Sequence, residues 1–155
     1  MLHRLTHRLK YLSLAAAIAM AGGCASTTDK ATPNADLAPR ASLTNTYWKL
    51  TQLDGAPVTM APEQEREVRI TLTDDGKVSG YTGCNRVMGG YTLAGTALRF
   101  TQLAGTRMAC PPPLMQLESA VLANLNSVTG YRLDGEKLIL LKDGAPVASF
   151  ESVYL

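Results

Sequence analysis

At 155 residues the chain has room for one domain of ordinary size, and its 46% apolar and 18% charged content suits a globular protein rather than a disordered one. The formal net charge of +2 comes from the first 23 residues: beyond them 12 basic residues face 13 acidic ones, which argues against the basic surface of a nucleic-acid binder. Both histidines, His3 and His7, lie in that same leader, so the remainder lacks histidine-based acid–base catalysis, Cys-His or Ser-His-Asp arrangements and His-containing zinc sites.

In chain order, residues 1–23 read as a secretory signal peptide. Arg4, Arg8 and Lys10 precede an alanine-rich apolar run from Leu12 to Met20, and Ala21-Gly22-Gly23 supplies small residues before Cys24. The apolar run is too short for a bilayer, which takes about 20 residues. The stretch MAGGCAS resembles the lipobox of bacterial lipoproteins, which implies that Cys24 is diacylated and becomes the mature N-terminus. Two or three acyl chains anchor stably, because each buried methylene contributes about 0.8 kcal/mol. Ala25, rather than an aspartate, follows the cysteine, so the resemblance implies the outer membrane, with the domain facing the periplasm. Residues 24–43 then form the lipidated N-terminus and a tether rich in Ala, Thr, Ser and Pro. Residues 25–42 of it have an r.m.s. reach of roughly 20–25 Å.

Residues 44–155 carry the domain. TYWKLTQL (46–53) is β-rich and ends at Asp54-Gly55. EVRITLT (67–73) alternates, with Val68, Ile70 and Leu72 on one face and Glu67, Arg69 and Thr71 on the other. Asp74-Asp75-Gly76 turns it into KVSGYTG (77–83). GYTLAG and ALRFTQL pair around Gly95-Thr96, and the last 24 residues of strand pattern, 130–153, break into three strands at Asp134-Gly135 and Asp143-Gly144. DGAPV occurs at 54–58 and at 143–147, which reads as two similar turns rather than a repeat. Between the strands, Leu114, Leu117, Val121, Leu122 and Leu125 keep helical spacing, Pro111 to Pro113 stand at the helix entrance, and Gln116, Glu118 and Asn124 fall on the wet side. The expectation is a mainly β, α+β fold: an antiparallel sheet curling towards a barrel or half-barrel, with one helix packed on it.

The glycine-rich segment GYTGCNRVMGGY (80–91) invites chemical readings. A phosphate cradle needs the GxxxxGK[ST] pattern, and no Lys-Ser or Lys-Thr follows these glycines. A thiol nucleophile needs a base; Arg86 or Arg107 lowers a thiol pKa but accepts no proton. Cys84 and Cys110, 26 apart without CxxC spacing, make a poor zinc site. The carboxylates at Asp74-Asp75 and at Glu63, Glu65 and Glu67 read as solvated turn and strand charges, and no GxSxG or SxxK motif is present. With Cys24 assigned to lipid, Cys84 and Cys110 are an even pair in an oxidising compartment. A bridge would close a loop of about 25 residues, worth roughly 3 kcal/mol. Two reduced structural thiols, or one reactive thiol, are the alternatives.

Three stretches then carry a family resemblance: TYWKLTQLDG, GKVSGYTGCNRVMGGYTLAGTALRF, and GTRMACPPPLMQLESAVLANLNSVTGYRLDGEKLILL. They resemble the META domain family, that of the heat-shock lipoprotein HslJ, over about 44–152. The marks are Trp48, Gly83-Cys84-Asn85 followed by Gly90-Tyr91, and the run from Thr106 through Arg107 and Met108 to Cys110-Pro111. The resemblance implies an antiparallel β fold with a helix, and a small envelope protein linked in some members to stress or antibiotic tolerance. It carries over no catalytic residue. The triple proline departs from the family pattern and implies a displaced first helical turn, with the two cysteine positions intact.

Read structurally, Trp48 and Met108 are core, Asn85 bonds its own turn and Arg107 pairs with a carboxylate. Read functionally, Asn85, Arg86 and Arg107 share a surface patch for a partner or anionic ligand. Two functions stand: a non-enzymatic, outer-membrane-anchored module that binds an envelope protein or ligand or supports envelope integrity under stress, and a small-molecule or lipid carrier using the interior of the curled sheet. No cofactor, metal or nucleic acid is expected in either.

Overall fold

The computed structural model describes residues 41–154. The expected signal peptide, the expected lipid attachment at Cys24 and the expected tether up to residue 40 lie outside the described residues. Nine strands and one helix follow in order: β1 (Tyr47–Leu53), β2 (Ala56–Pro57), β3 (Arg69–Leu72), β4 (Lys77–Tyr81), β5 (Arg86–Ala94), β6 (Ala97–Gly105), α1 (Pro112–Ser127), β7 (Gly130–Asp134), β8 (Lys137–Lys142) and β9 (Ala145–Val153). All strands join one antiparallel sheet in the order β6-β5-β4-β3-β1-β9-β8-β7, with the short β2 paired to β1.

Alternation supplies the core. Trp48 and Leu50, Ile70 and Leu72, Val78, Val87, Leu98 and Phe100, Leu138 and Leu140, and Ala148 and Phe150 all turn to the inner face and are buried. Register shifts at Leu50/Gln52, Met88/Gly90 and Leu140/Leu141 bend the sheet, because a bulge leaves one residue unopposed and adds local twist. The sheet thus curls into a half-barrel. Its two ends meet at two backbone bonds, Leu98 N–H to Thr129 C=O at 3.3 Å and Tyr131 N–H to Thr96 C=O at 3.0 Å. α1 packs against β6 and presents Leu114, Val121 and Leu125 inwards.

The Asp-Gly dipeptides do not all make the same turn. In both DGAPV copies the aspartate and the glycine have positive φ: 50° and 79° at Asp54-Gly55, 49° and 85° at Asp143-Gly144. Each is a two-residue hairpin loop, as the pairings Leu53–Ala56 and Lys142–Ala145 show. At the β7–β8 turn, Asp134 instead pairs with Lys137, so Gly135 takes the first loop position.

Two boundaries differ from the sequence expectation. Ala41 and Leu43, assigned to the tether, are buried, and the Trp48 indole N–H donates to the Leu43 carbonyl at 2.9 Å. The packed domain therefore includes 41–43, because the tryptophan needs a partner for its one polar atom. The helix spans 112–127 rather than 114–125. Pro111 is its N-cap residue with no side-chain cap, and the next two prolines form its first turn, where a missing N–H is no loss.

Candidate functional site

Of the glycine-rich segment, only Thr82–Asn85 is a turn; Arg86 already begins β5. The Thr82 amide and hydroxyl both donate to the Asn85 carbonyl, at 2.9 and 3.0 Å. Gly83 sits at φ 109°, which strains any other residue, and a Cβ there would lie 3.1 Å from a Leu117 methyl of α1, which would have to shift by a few tenths of an ångström.

Asn85 is buried at the centre of a network. Its Oδ1 accepts from the Thr106 hydroxyl at 2.7 Å and the Met108 amide at 2.8 Å. Its Nδ2 donates to Glu118 Oε2 at 2.9 Å and to the Met108 carbonyl at 3.3 Å. One side chain thereby ties the β4–β5 turn, the 106–110 segment and α1 together. Beside it Cys84 and Cys110 form a disulfide with their Cα atoms 6.0 Å apart. Tyr91 plays a similar pinning part on β5, its hydroxyl donating to the Thr73 carbonyl at 2.7 Å; burial pushes its pKa up.

Met108 is not core: it is 56% exposed, because its backbone rather than its side chain is held by Asn85. Glu118 does not simply face water but takes the Asn85 amide bond. Asn85 does more than bond its own turn. It is also 2% exposed and cannot form a surface patch with the arginines. Arg107 is exposed, and among the described residues no carboxylate lies within ion-pair distance of it. Pro111 caps the helix and Trp48 is fully buried, so these two, with Gly83, Asn85 and Thr106, serve the architecture.

The surface feature the register builds lies elsewhere, on the outer face. Lys137, Glu151, Lys49, Arg69, Tyr81 and Arg86 are successive cross-strand partners in one row running over β8, β9, β1, β3, β4 and β5. Tyr81 is buried yet outside the core cluster, because it lies on this outer face. It floors a groove of about 270 Å³ lined among others by Arg66, Arg69, Arg86, Ser79 and Met88. An adjoining groove of about 180 Å³ shares Arg66, Tyr81 and Arg86 and continues to Thr106 and Met108. Among the described residues the one ion pair is Lys77–Asp75, so none of the three groove arginines has a carboxylate within ion-pair distance. Arg69 lies over the Tyr47 ring, 4.8 Å from its centroid. The Tyr47 hydroxyl donates to Glu67, whose carboxyl is held below the usual range chiefly by that bond, while burial and the same bond raise Tyr47.

Arg86 was legible as a candidate; Arg66 and Arg69 were not, because only register brings them beside it. Among the described residues no three His, Cys, Asp or Glu side chains gather to hold a metal ion, and no helix is long and apolar enough to cross a membrane.

A family model described as the META domain matches residues 41–154. Among solved structures, an NMR structure of a protein from Burkholderia xenovorans is similar at 33% identity and a TM-score of 0.58, over 73% of this chain and 85% of that one. A second NMR structure aligns at 23% identity and a TM-score of 0.56, over 72% and 94%. The crystal structure of a DUF4847 family protein from Bacteroides vulgatus aligns at 15% identity and a TM-score of 0.55, over 70% and 93%. The last two likenesses are of fold alone. No curated protein matches the chain.

Proposed function

The chain belongs to the META domain family, and from that premise we propose that it is a non-enzymatic binding module of the cell envelope, anchored through lipid on Cys24 to the outer membrane, that engages an envelope partner under stress. One contrast supports this reading over a carrier. The interior of the half-barrel is filled by Trp48, Phe150, Ile70, Leu72, Leu98 and Leu138, all essentially inaccessible, which leaves a carried molecule little room. The outer face instead offers tyrosine, arginine and the exposed methionines Met88 and Met108, residue types enriched where proteins bind partners.

The test has two parts. Intact mass of the protein extracted from its native membrane, with and without reduction and alkylation, should show acyl mass at Cys24 and two thiols that react only after reduction. Photocrosslinkers placed at Met88 and at the exposed Leu133 on β7 should then differ, with specific adducts only from Met88. A stoichiometric apolar molecule released on denaturation would favour the carrier instead.

A further inference from the structure

The outer-face groove carries a more specific assignment, which rests on that face being the working one. Residues 41–155 hold ten basic and eleven acidic side chains, so the domain as a whole is close to neutral. Even so, Arg66, Arg69 and Arg86 line one groove while, among the described residues, none has a carboxylate within ion-pair distance. Acidic side chains are close at hand: Glu65 lines the adjoining groove, and Glu67 is bonded to Tyr47. Arg69 lies over the Tyr47 ring and near enough to Glu67 to act on its carboxyl, but no carboxylate closes an ion pair with any of the three, so an anion in the groove is drawn to three positive charges.

The geometry narrows the class of anion. A guanidinium offers a rigid fork of donors that matches two oxygens of a carboxylate or phosphate. A carboxylate keeps its two oxygens and their lone pairs in one plane, whereas a tetrahedral phosphate presents oxygens in several directions. Arginines from three places, β3, β5 and the segment before β3, suit the second. The groove's volume of about 270 Å³ lies below the roughly 300–1,000 Å³ of pockets that enclose drug-sized ligands, so a single charged group is the natural occupant. Tyr81 gives it a rigid floor held in place by its cross-strand partners Arg69 and Arg86.

We infer that Arg66, Arg69 and Arg86 form a binding site for a phosphate group, carried by a lipid headgroup or free in solution. The test is an NMR titration of the full chain in non-ionic detergent micelles, following the backbone amides of Gly80, Tyr81 and Arg86. The probes are inorganic phosphate, dihexanoyl phosphatidic acid and a hexaglutamate peptide. Saturable shifts with phosphate are expected, weakening as salt is added. Arg86→Gln and Arg66→Gln should each reduce affinity about tenfold, the loss of one charge-assisted forked pair. Arg132→Gln, on exposed β7, should leave it unchanged. A headgroup probe that binds more tightly than free phosphate identifies the lipid as the source; equal binding identifies the free anion. Absence of saturable shifts, or an equal loss from Arg132→Gln, overturns the site. Binding of hexaglutamate with none of phosphate also overturns it while sparing the outer-face reading, which fails separately if Met88 gives no specific crosslink.

Discussion

Replacing Asn85 by alanine tests the view that this side chain is the knot of the domain's motif region. Alanine removes an acceptor shared by the Thr106 hydroxyl and the Met108 amide, and a donor to Glu118 and the Met108 carbonyl. Three neutral bonds contribute about 1 kcal/mol each and the bond to the Glu118 carboxylate about 2 kcal/mol, so the full sum is about 5 kcal/mol. The partners are less buried than Asn85 itself: Thr106 and Met108 are exposed and Glu118 is half-buried, so water replaces part of what they lose. The expected cost is therefore about 3 kcal/mol, with the disulfide intact. Urea unfolding followed by tryptophan fluorescence of Trp48 measures it as a lowered midpoint at unchanged slope. Asn85→Asp is the informative companion. It keeps the acceptor but sets a carboxylate against Glu118, so it should be at least as unstable at neutral pH and recover partly in acid, where the pair shares a proton. A midpoint for Asn85→Ala matching wild type would show that the network is incidental and refute the reasoning.

Serine at both Cys84 and Cys110 should cost about 3 kcal/mol of stability in the same assay, the loop-closure value for their 26-residue separation, and reduction of the native protein should match it. Gly80→Ala places a Cβ 2.2 Å from the Arg69 carbonyl oxygen, so β3 and β4 must separate; a loss of about 3 kcal/mol is expected, and a neutral effect would contradict the register. Glu67 has a depressed folded pKa, so the stability it contributes is present above its ordinary value of 4.5 and is lost as pH falls through the lower folded value. Tyr47→Phe removes the main cause and should flatten part of the acid limb of a stability-against-pH curve. The turn carboxylates Asp74 and Asp75, also depressed, keep the remainder, and an unchanged limb would rule out the Tyr47–Glu67 bond.

Some of this was written in the sequence, because it depends on neighbours along the chain. Period-two alternation in residues 67–73 and helical spacing from Leu114 to Leu125 fix which faces are apolar, and an apolar face must be covered. The Asp-Gly pairs mark hairpins because few residues tolerate positive φ. What the chain pattern could not give was register. Arg66, Arg69 and Tyr81 stand up to 20 positions from Arg86, and nothing local marks them as its neighbours. Their convergence on one groove follows from the pairings Arg69–Tyr81 and Tyr81–Arg86, which the whole sheet selects by burying Ile70, Val78 and Val87 on its other side. Met108 shows the same limit in reverse: its apolar side chain suggests the core, but the Asn85 bonds to its backbone are tertiary contacts, and they leave the side chain in water. Local periodicity determined the elements, and only long-range pairing decided which exposed side chains stand together.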